Sequence, residues 1–290
     1  MSDERQKSRR KTGLLLILII SLTLIIAAVI LLVLLKKADT LSKGSETMHS
    51  PLPPDISVSE SPDPSDPDGS DHSGVVPAET GEELPDNPIR FDELQSINPD
   101  AYAWLSVPMG REDWDISRPI LQTSPGTNDD FYLHHNLERK YEYTGELYTE
   151  KWNSKDFTDP VTVIYGHNMY DDSTEMFSKL INFQDEDFFN EHEFFYIYTP
   201  GHILTYRIAA AIQFDNRHIL NSFDFTDEAV FDSWIQNYIL NPRTMIRRVR
   251  EDVTVTTEDH IVILSTCLGR NMSNYRYLVQ GVLISDEPTK

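Results

Sequence analysis

Residues 13–35, GLLLILIISLTLIIAAVILLVLL, form an unbroken stretch without a single charge and without a polar face to turn toward water. At about 1.5 Å per residue, a helix of that length crosses the roughly 30 Å hydrocarbon core of a bilayer. A membrane-spanning helix is therefore predicted over 13–35. The run is longer than the roughly 7–15 apolar residues of a cleaved signal sequence. Lys36 and Lys37 follow it where a small-residue cleavage site would stand. Arg5, Lys7, Arg9, Arg10 and Lys11 precede it against Asp3 and Glu4. That bias predicts a single-pass protein of the cell membrane, with a cytoplasmic N-terminus over 1–12 and everything after Lys37 extracellular.

Residues 36–88 read as a stalk. From 38 to 88 the chain holds nine of its 17 prolines, with abundant Ser, Asp, Glu and Gly and few large apolar side chains. Such a segment cannot bury enough apolar surface to offset the entropy of ordering, so a disordered, partly extended tether is expected. The formal net charge is −22, and the first 37 residues carry seven basic groups against two acidic ones, so the acidity lies beyond them. Nucleic-acid binding through a phosphate-neutralising patch is excluded on that ground. A lone cysteine, Cys267, cannot form an internal disulfide, and a disulfide-free exterior domain suits a bacterial surface better than a small secreted scaffold.

Residues 89–290 have the size of one domain. Phe91, Leu94 and Ile97 space as one helical face, and Asn98-Pro99-Asp100 reads as a stop followed by a new helix start through Trp104. Strand-like runs follow at 119–122, 161–165, 194–198, 203–212, 253–256, 261–266 and 277–284. Helices are predicted over 174–181, with Met176, Phe177, Leu180 and Ile181 on one face, and over 226–239, with Val230, Trp234 and Tyr238 on another, behind a Thr226 cap. Short strands without a βαβ rhythm predict a mostly-β barrel or sandwich with flanking helices, not a doubly wound sheet.

Cys267 ends the apolar run 261–267, and Arg276 opens the next strand-like run nine residues later. A thiol at a strand mouth with a fixed cation near it is what a nucleophilic thiolate needs; a small buried hydrophobe at a strand end is the alternative. Histidine is the usual partner for such a thiol. Of the nine histidines, His49 and His72 fall in the stalk, and His192, His202, His218 and His260 sit in polar, surface-like contexts. His134 and His135 would point to opposite faces of a strand and could not share one metal, so neither metal nor cofactor is expected. His167 stands at the end of run 161–165, after a Gly166 that lets the chain turn, much as Cys267 ends its own strand.

Tyr165-Gly166-His167-Asn168-Met169, Leu264-Ser265-Thr266-Cys267 and Arg276-Tyr277-Leu278-Val279-Gln280-Gly281 resemble the three signature blocks of the sortases, membrane-anchored cysteine transpeptidases of Gram-positive surfaces. Pro119-Ile120-Leu121-Gln122, Asn128-Asp129, Tyr132 to Asn136 and Met176-Phe177 extend the resemblance, which is to class B. It implies an eight-stranded β-barrel with N-terminal helices in which His167, Cys267 and Arg276 converge. Cys267 would attack the threonine carbonyl of a C-terminal sorting motif, His167 would shuttle protons, and Arg276 would hold the oxyanion or the substrate backbone. Arg276 is preferred to Arg270 because it opens the apolar strand. Leu133, Ser265 and Asn128 carry over as substrate contacts. The implied partners are surface proteins bearing a sorting signal, an amine of a peptidoglycan precursor or cross-bridge (or a pilin), and the bilayer through 13–35. Leu268 and Gly269 follow the thiol, so no carboxylate from that loop completes a triad. Thr144 to Tyr148 replaces the small-residue-rich strand and Asp usual in the family. Two other readings exist: a papain-like protease, in which the cysteine normally precedes the histidine, and a non-catalytic binding domain on a stalk.

Overall fold

The computed structural model describes residues 84–170, 173–269, 272 and 274–290. The predicted membrane helix at 13–35, the predicted stalk up to residue 83, and Arg270 lie outside the described residues. The packed domain begins earlier than residue 89. Asn87 N donates to Lys290 O at 3.3 Å, and Asn87 Nδ2 donates to Thr199 O at 2.9 Å.

Among the described residues there are four short α-helices: α1 (Phe91–Ile97), α2 (Glu186–Glu191), α3 (Ile219–Ser222) and α4 (Glu228–Trp234). Nine strands of the described residues make one sheet: β1 (Ala101–Val107), β2 (Ile116–Leu121), β3 (Leu147–Tyr148), β4 (Val161–Tyr165), β5 (Phe194–Thr199), β6 (His202–Asp215), β7 (Arg247–Val249), β8 (Ile261–Cys267) and β9 (Tyr275–Pro288). Neighbours run β5-β1-β2-β3-β4-β8-β9-β6, and β6 pairs back onto β5. Eight strands therefore close into a barrel and leave no open edge, while β7 is added to the far half of β6. The ladders are antiparallel except β2–β3 and β4–β8, which are parallel.

The barrel wall is covered on both faces. Even-numbered residues of β8, Val262 and Leu264, join an inner layer with Leu105, Phe195, Ile197, Tyr206, Tyr277 and Val279. Odd-numbered Ile261 and Ile263 join an outer layer with Val161, Val163, Ile212, Leu278 and the Trp234 side of α4. Burial on both faces is why 161–165 and 261–267 read as continuous apolar runs instead of alternating ones.

Several expectations are corrected. Residues 101–104 are strand, not a second helix: Ala103 and Leu105 face the inner layer while Ala101 and Trp104 pack with α1, so both parities are apolar and periodicity carries no signal. The 174–181 segment is not an α-helix. Met176 sits in the left-handed region (φ 51°), and a 3-10 helix covers Ser178–Gln184. The cap of the later helix is Asp227, whose carboxylate accepts from Ala229 N at 2.9 Å, not Thr226. That helix widens into a π-turn over Ile235–Leu240, which rotates its buried face onto Phe231, Trp234, Ile235 and Ile239 and leaves Val230 aside. Residues 253–256 pair with no strand, although Val253 and Val255 are buried.

Candidate active site

The parallel register of β4 and β8 positions the first two functional residues. Val161 stands opposite Ile261 and the pairing continues to Tyr165 opposite Ser265. His167 and Cys267 lie two residues beyond that last pair, so they leave the wall at the same level and from the same strand ends. The pair of strand ends is held by Gly166 N donating to Ser265 O at 3.2 Å and by Thr266 Oγ1 donating to Gly166 O at 2.8 Å. Gly166 is not there to turn the chain, since its φ is not positive. A Cβ at that position would meet Leu147 Cδ2 at 2.5 Å and Phe177 Cδ2 at 2.8 Å, so close packing accounts for the glycine.

The antiparallel β8–β9 ladder supplies the third residue, with Cys267 directly opposite Arg276. Directly opposed residues in such a ladder point to the same face with Cβ atoms about 5 Å apart. That face is the outer one, which Ile261, Ile263 and Leu278 also occupy. Cys267 is half-buried and Arg276 also half-buried. Behind them lie Tyr148 and Tyr165, stacked at 5.4 Å, and buried Glu150, whose Oε2 is 2.7 Å from His218 Nε2. Burial pushes both tyrosines above the ordinary phenol value; Glu150 adds to this, and the Arg276 charge opposes it.

His167 donates to the backbone carbonyl of Leu133, and its Nε2 is shielded without a partner among the described residues. The nitrogen engaged with Leu133 is thus Nδ1, which leaves Nε2 as the atom able to exchange a proton. Burial and then the neighbouring His134 hold His167 below the ordinary histidine value, with the Leu133 bond pulling the other way. The His134 ring lies 5.2 Å from it and the Tyr143 ring 5.8 Å, at an interplanar angle of 18°.

Asn168 ties the two strand ends together a second time. Its Nδ2 donates to Cys267 O at 2.9 Å while its Oδ1 accepts from Tyr170 N at 2.9 Å. Tyr170, itself at a left-handed φ of 62°, brings its hydroxyl within hydrogen-bonding reach of the Cys267 thiol. Burial first and Cys267 second raise the Tyr170 phenol above its usual value.

The structure thus brings His167, Cys267 and Arg276 to one rim. Ser265 is buried in β8, one turn of the pleat before the thiol on the same face, and its carbonyl, not its hydroxyl, makes the inter-strand bond. Leu133 is half-buried in a 3-10 helix (Asp129–His134), where it offers its carbonyl to His167. Asn128 is exposed at the start of that helix, and its carbonyl accepts from Phe131 N at 3.2 Å. His134 is therefore on a helical turn, not a strand, and reaches the site, whereas His135 is the extended residue that ends the turn and stacks on Phe131 at 3.8 Å. Sequence reading missed His134, Tyr143 and Tyr170 as neighbours of the site. Only the Tyr132 to Asn136 block hinted at the first. Among the described residues no group of three or more His, Cys, Asp or Glu side chains is placed to hold a metal ion.

Two curated proteins are similar to this chain. Sortase B of Listeria monocytogenes is 30% identical over 196 residues, covering 67% of this chain and 73% of that protein. Sortase B of Staphylococcus aureus is 26% identical over 190 residues, covering 61% and 67%. Among solved structures, Clostridium perfringens sortase B aligns with a TM-score of 0.55 at 26% identity, covering 67% of this chain and 100% of that one. A Streptococcus pyogenes class B sortase involved in pilus biogenesis aligns with a TM-score of 0.54 at 30% identity, covering 68% and 98%. No family model matches the chain. A barrel of this kind shared with these relatives places the chain among the sortases, and such homologues imply a cysteine transpeptidase. Within that class, it belongs to the sortase B family, as the sequence blocks implied.

Proposed function

We propose that this chain is anchored in the cell membrane by residues 13–35, with its domain outside the cell on a stalk, and that it joins surface proteins to a cell-wall or pilin amine. In this reading Cys267 Sγ attacks the threonine carbonyl of a C-terminal sorting motif. The thiol proton passes to His167 Nε2 as Sγ attacks, the C–N bond to the next residue breaks, a thioester forms, and His167 Nε2 gives that proton to the departing amine. An incoming amine then attacks the thioester, His167 takes its proton, and the C–S bond breaks to regenerate the thiol. Arg276, always charged and forked, donates to the oxyanion or to the substrate backbone. Leu133, Ser265 and Asn128 line the approach of the peptide.

One arrangement carries the reading: Cys267 stands directly opposite Arg276 and level with His167 through two independent strand registers. A binding domain with an inert cysteine has no need of that convergence. The test is to incubate the purified chain with Asn-Pro-type and Leu-Pro-type sorting pentapeptides and oligoglycine, following adducts and products by mass spectrometry. An acyl adduct on Cys267, lost in Cys267→Ala, is expected. Absence of any adduct, together with a thiol inert to alkylation in the folded state, rejects it.

A further inference from the structure

The chain between the 3-10 helix at Asp129–His134 and β3 folds back on itself. Asn136 N donates to Lys140 O at 2.9 Å, His135 and Tyr141 pair as an isolated bridge, and Glu142 N donates to His134 O at 3.0 Å. The return is locked at Gly145, with a φ of 60° and a Cα so close to its neighbours that a Cβ would lie 2.3 Å from Leu133 O. The backbone is therefore well held, yet Tyr141 and Tyr143 are 73% and 63% exposed. Residues two apart on an extended segment share a face. The Tyr141 ring is 6.3 Å from that of His134, and the Tyr143 ring stacks at 5.8 Å on both His134 and His167. An aromatic ledge open to water thus ends at the imidazole.

Its charges favour a cation. Arg139 is engaged by buried Asp100 and Lys140 by Glu138, and Glu142, between the two tyrosines and so on the opposite face of the segment, adds a nearby negative charge. Burial disfavours the charged form of His167, and the ledge itself carries no basic side chain.

We propose that the ledge of Tyr141 and Tyr143 docks the acceptor substrate by its primary ammonium group, at the end of a peptide, and delivers that group to His167. The inference rests on the transpeptidase reading above and locates its second substrate. The ammonium, held over the ring faces, loses one proton to water. The free amine then attacks the thioester carbonyl, and His167 Nε2 accepts the proton released as the C–N bond forms. The C–S bond breaks with its electron pair on Cys267, which regains a proton from His167. Each ring contact of ordinary strength corresponds to roughly a two- to fivefold change in affinity.

The experiment measures how the acyl-enzyme partitions between water and triglycine, a ratio that does not depend on how fast the acyl-enzyme formed. Wild type, Tyr143→Leu, Tyr143→Phe and the double variant Tyr141→Leu/Tyr143→Leu are compared with Asn-Pro-type and Leu-Pro-type pentapeptides as donors. A fall in the transfer-to-hydrolysis ratio of roughly fivefold in Tyr143→Leu and tenfold or more in the double variant is expected, with the triglycine KM raised to match. Tyr143→Phe, which keeps the ring, should restore the wild-type ratio. Hydroxylamine, uncharged at neutral pH, should partition alike in all four. An unchanged triglycine ratio in the double variant, or an equal loss with hydroxylamine, overturns this inference alone. Failure of wild type to acylate with any peptide overturns the transpeptidase reading and this inference with it.

Discussion

Replacing Glu146 by glutamine should make the protein more stable at pH 8 than at pH 4.5 relative to wild type. Glu146 is 6% exposed beside β3, and its carboxylate is paired only loosely, with Arg118 Nη1 at 3.4 Å. Burial pushes its carboxyl up to about 7 from the ordinary 4.5, with Arg118 pulling it partly back. At about 1.4 kcal/mol per unit, that displacement is worth roughly 3 kcal/mol. Between pH 4.5 and 7 the folded chain holds a proton there that the unfolded chain has released, so the contribution of Glu146 to stability falls as pH rises through that window. Glu146→Gln keeps the shape and cannot ionise. Equilibrium urea unfolding of both proteins at pH 4.5, 6 and 8 should give a variant-minus-wild-type difference that moves by roughly 3 kcal/mol toward the variant. A difference constant across that range to within about 0.5 kcal/mol, or one moving the other way, refutes the reasoning.

Gly145→Ala should destabilise by at least about 1–2 kcal/mol, from its left-handed φ and the collision with Leu133 O. Because that carbonyl holds His167, an NMR titration should find the histidine lower still than in wild type. Thr266→Val removes the donor to buried Gly166 O and should cost roughly 1–3 kcal/mol in thermal unfolding. Asn168→Ala cuts the tie to Cys267 O, and single-turnover acylation should slow while circular dichroism stays native. Arg276→Lys should lower turnover strongly in a transfer assay, since a point charge cannot reproduce the guanidinium fork.

Much of the wall was legible because strands buried on both faces leave long apolar runs, and the runs at 161–165 and 261–266 fall on β4 and β8. The same double burial hid β1, whose Ala101-Tyr102-Ala103-Trp104 offers no period to tell helix from strand. β3, two residues long, and β7, three, are too short to leave a pattern. Cys267, His167 and Arg276 were visible because each marks a strand end in the sequence, and strand registers then bring strand ends together. His134, Tyr143 and Tyr170 reach the site through a helical turn, a folded-back loop and a left-handed residue. Those are tertiary choices that no local spacing encodes. Gly166 was noticed for the wrong reason: its constraint comes from Leu147 and Phe177 pressing on it, which only the packed structure reveals.

β9 lies between β8 and β6, the two strands whose union closes the ring, and it is made from residues 275–288. A chain emerging N-terminus first therefore has every other wall strand available before the ring can shut. Until β9 inserts, β8 and β6 present long unpaired edges of the kind that invite association with other chains. The same late strand carries Arg276 to its place opposite Cys267. The thiol thus acquires its cation in the step that completes the barrel, so an unfinished chain holds an unarmed cysteine and the finished fold switches it on.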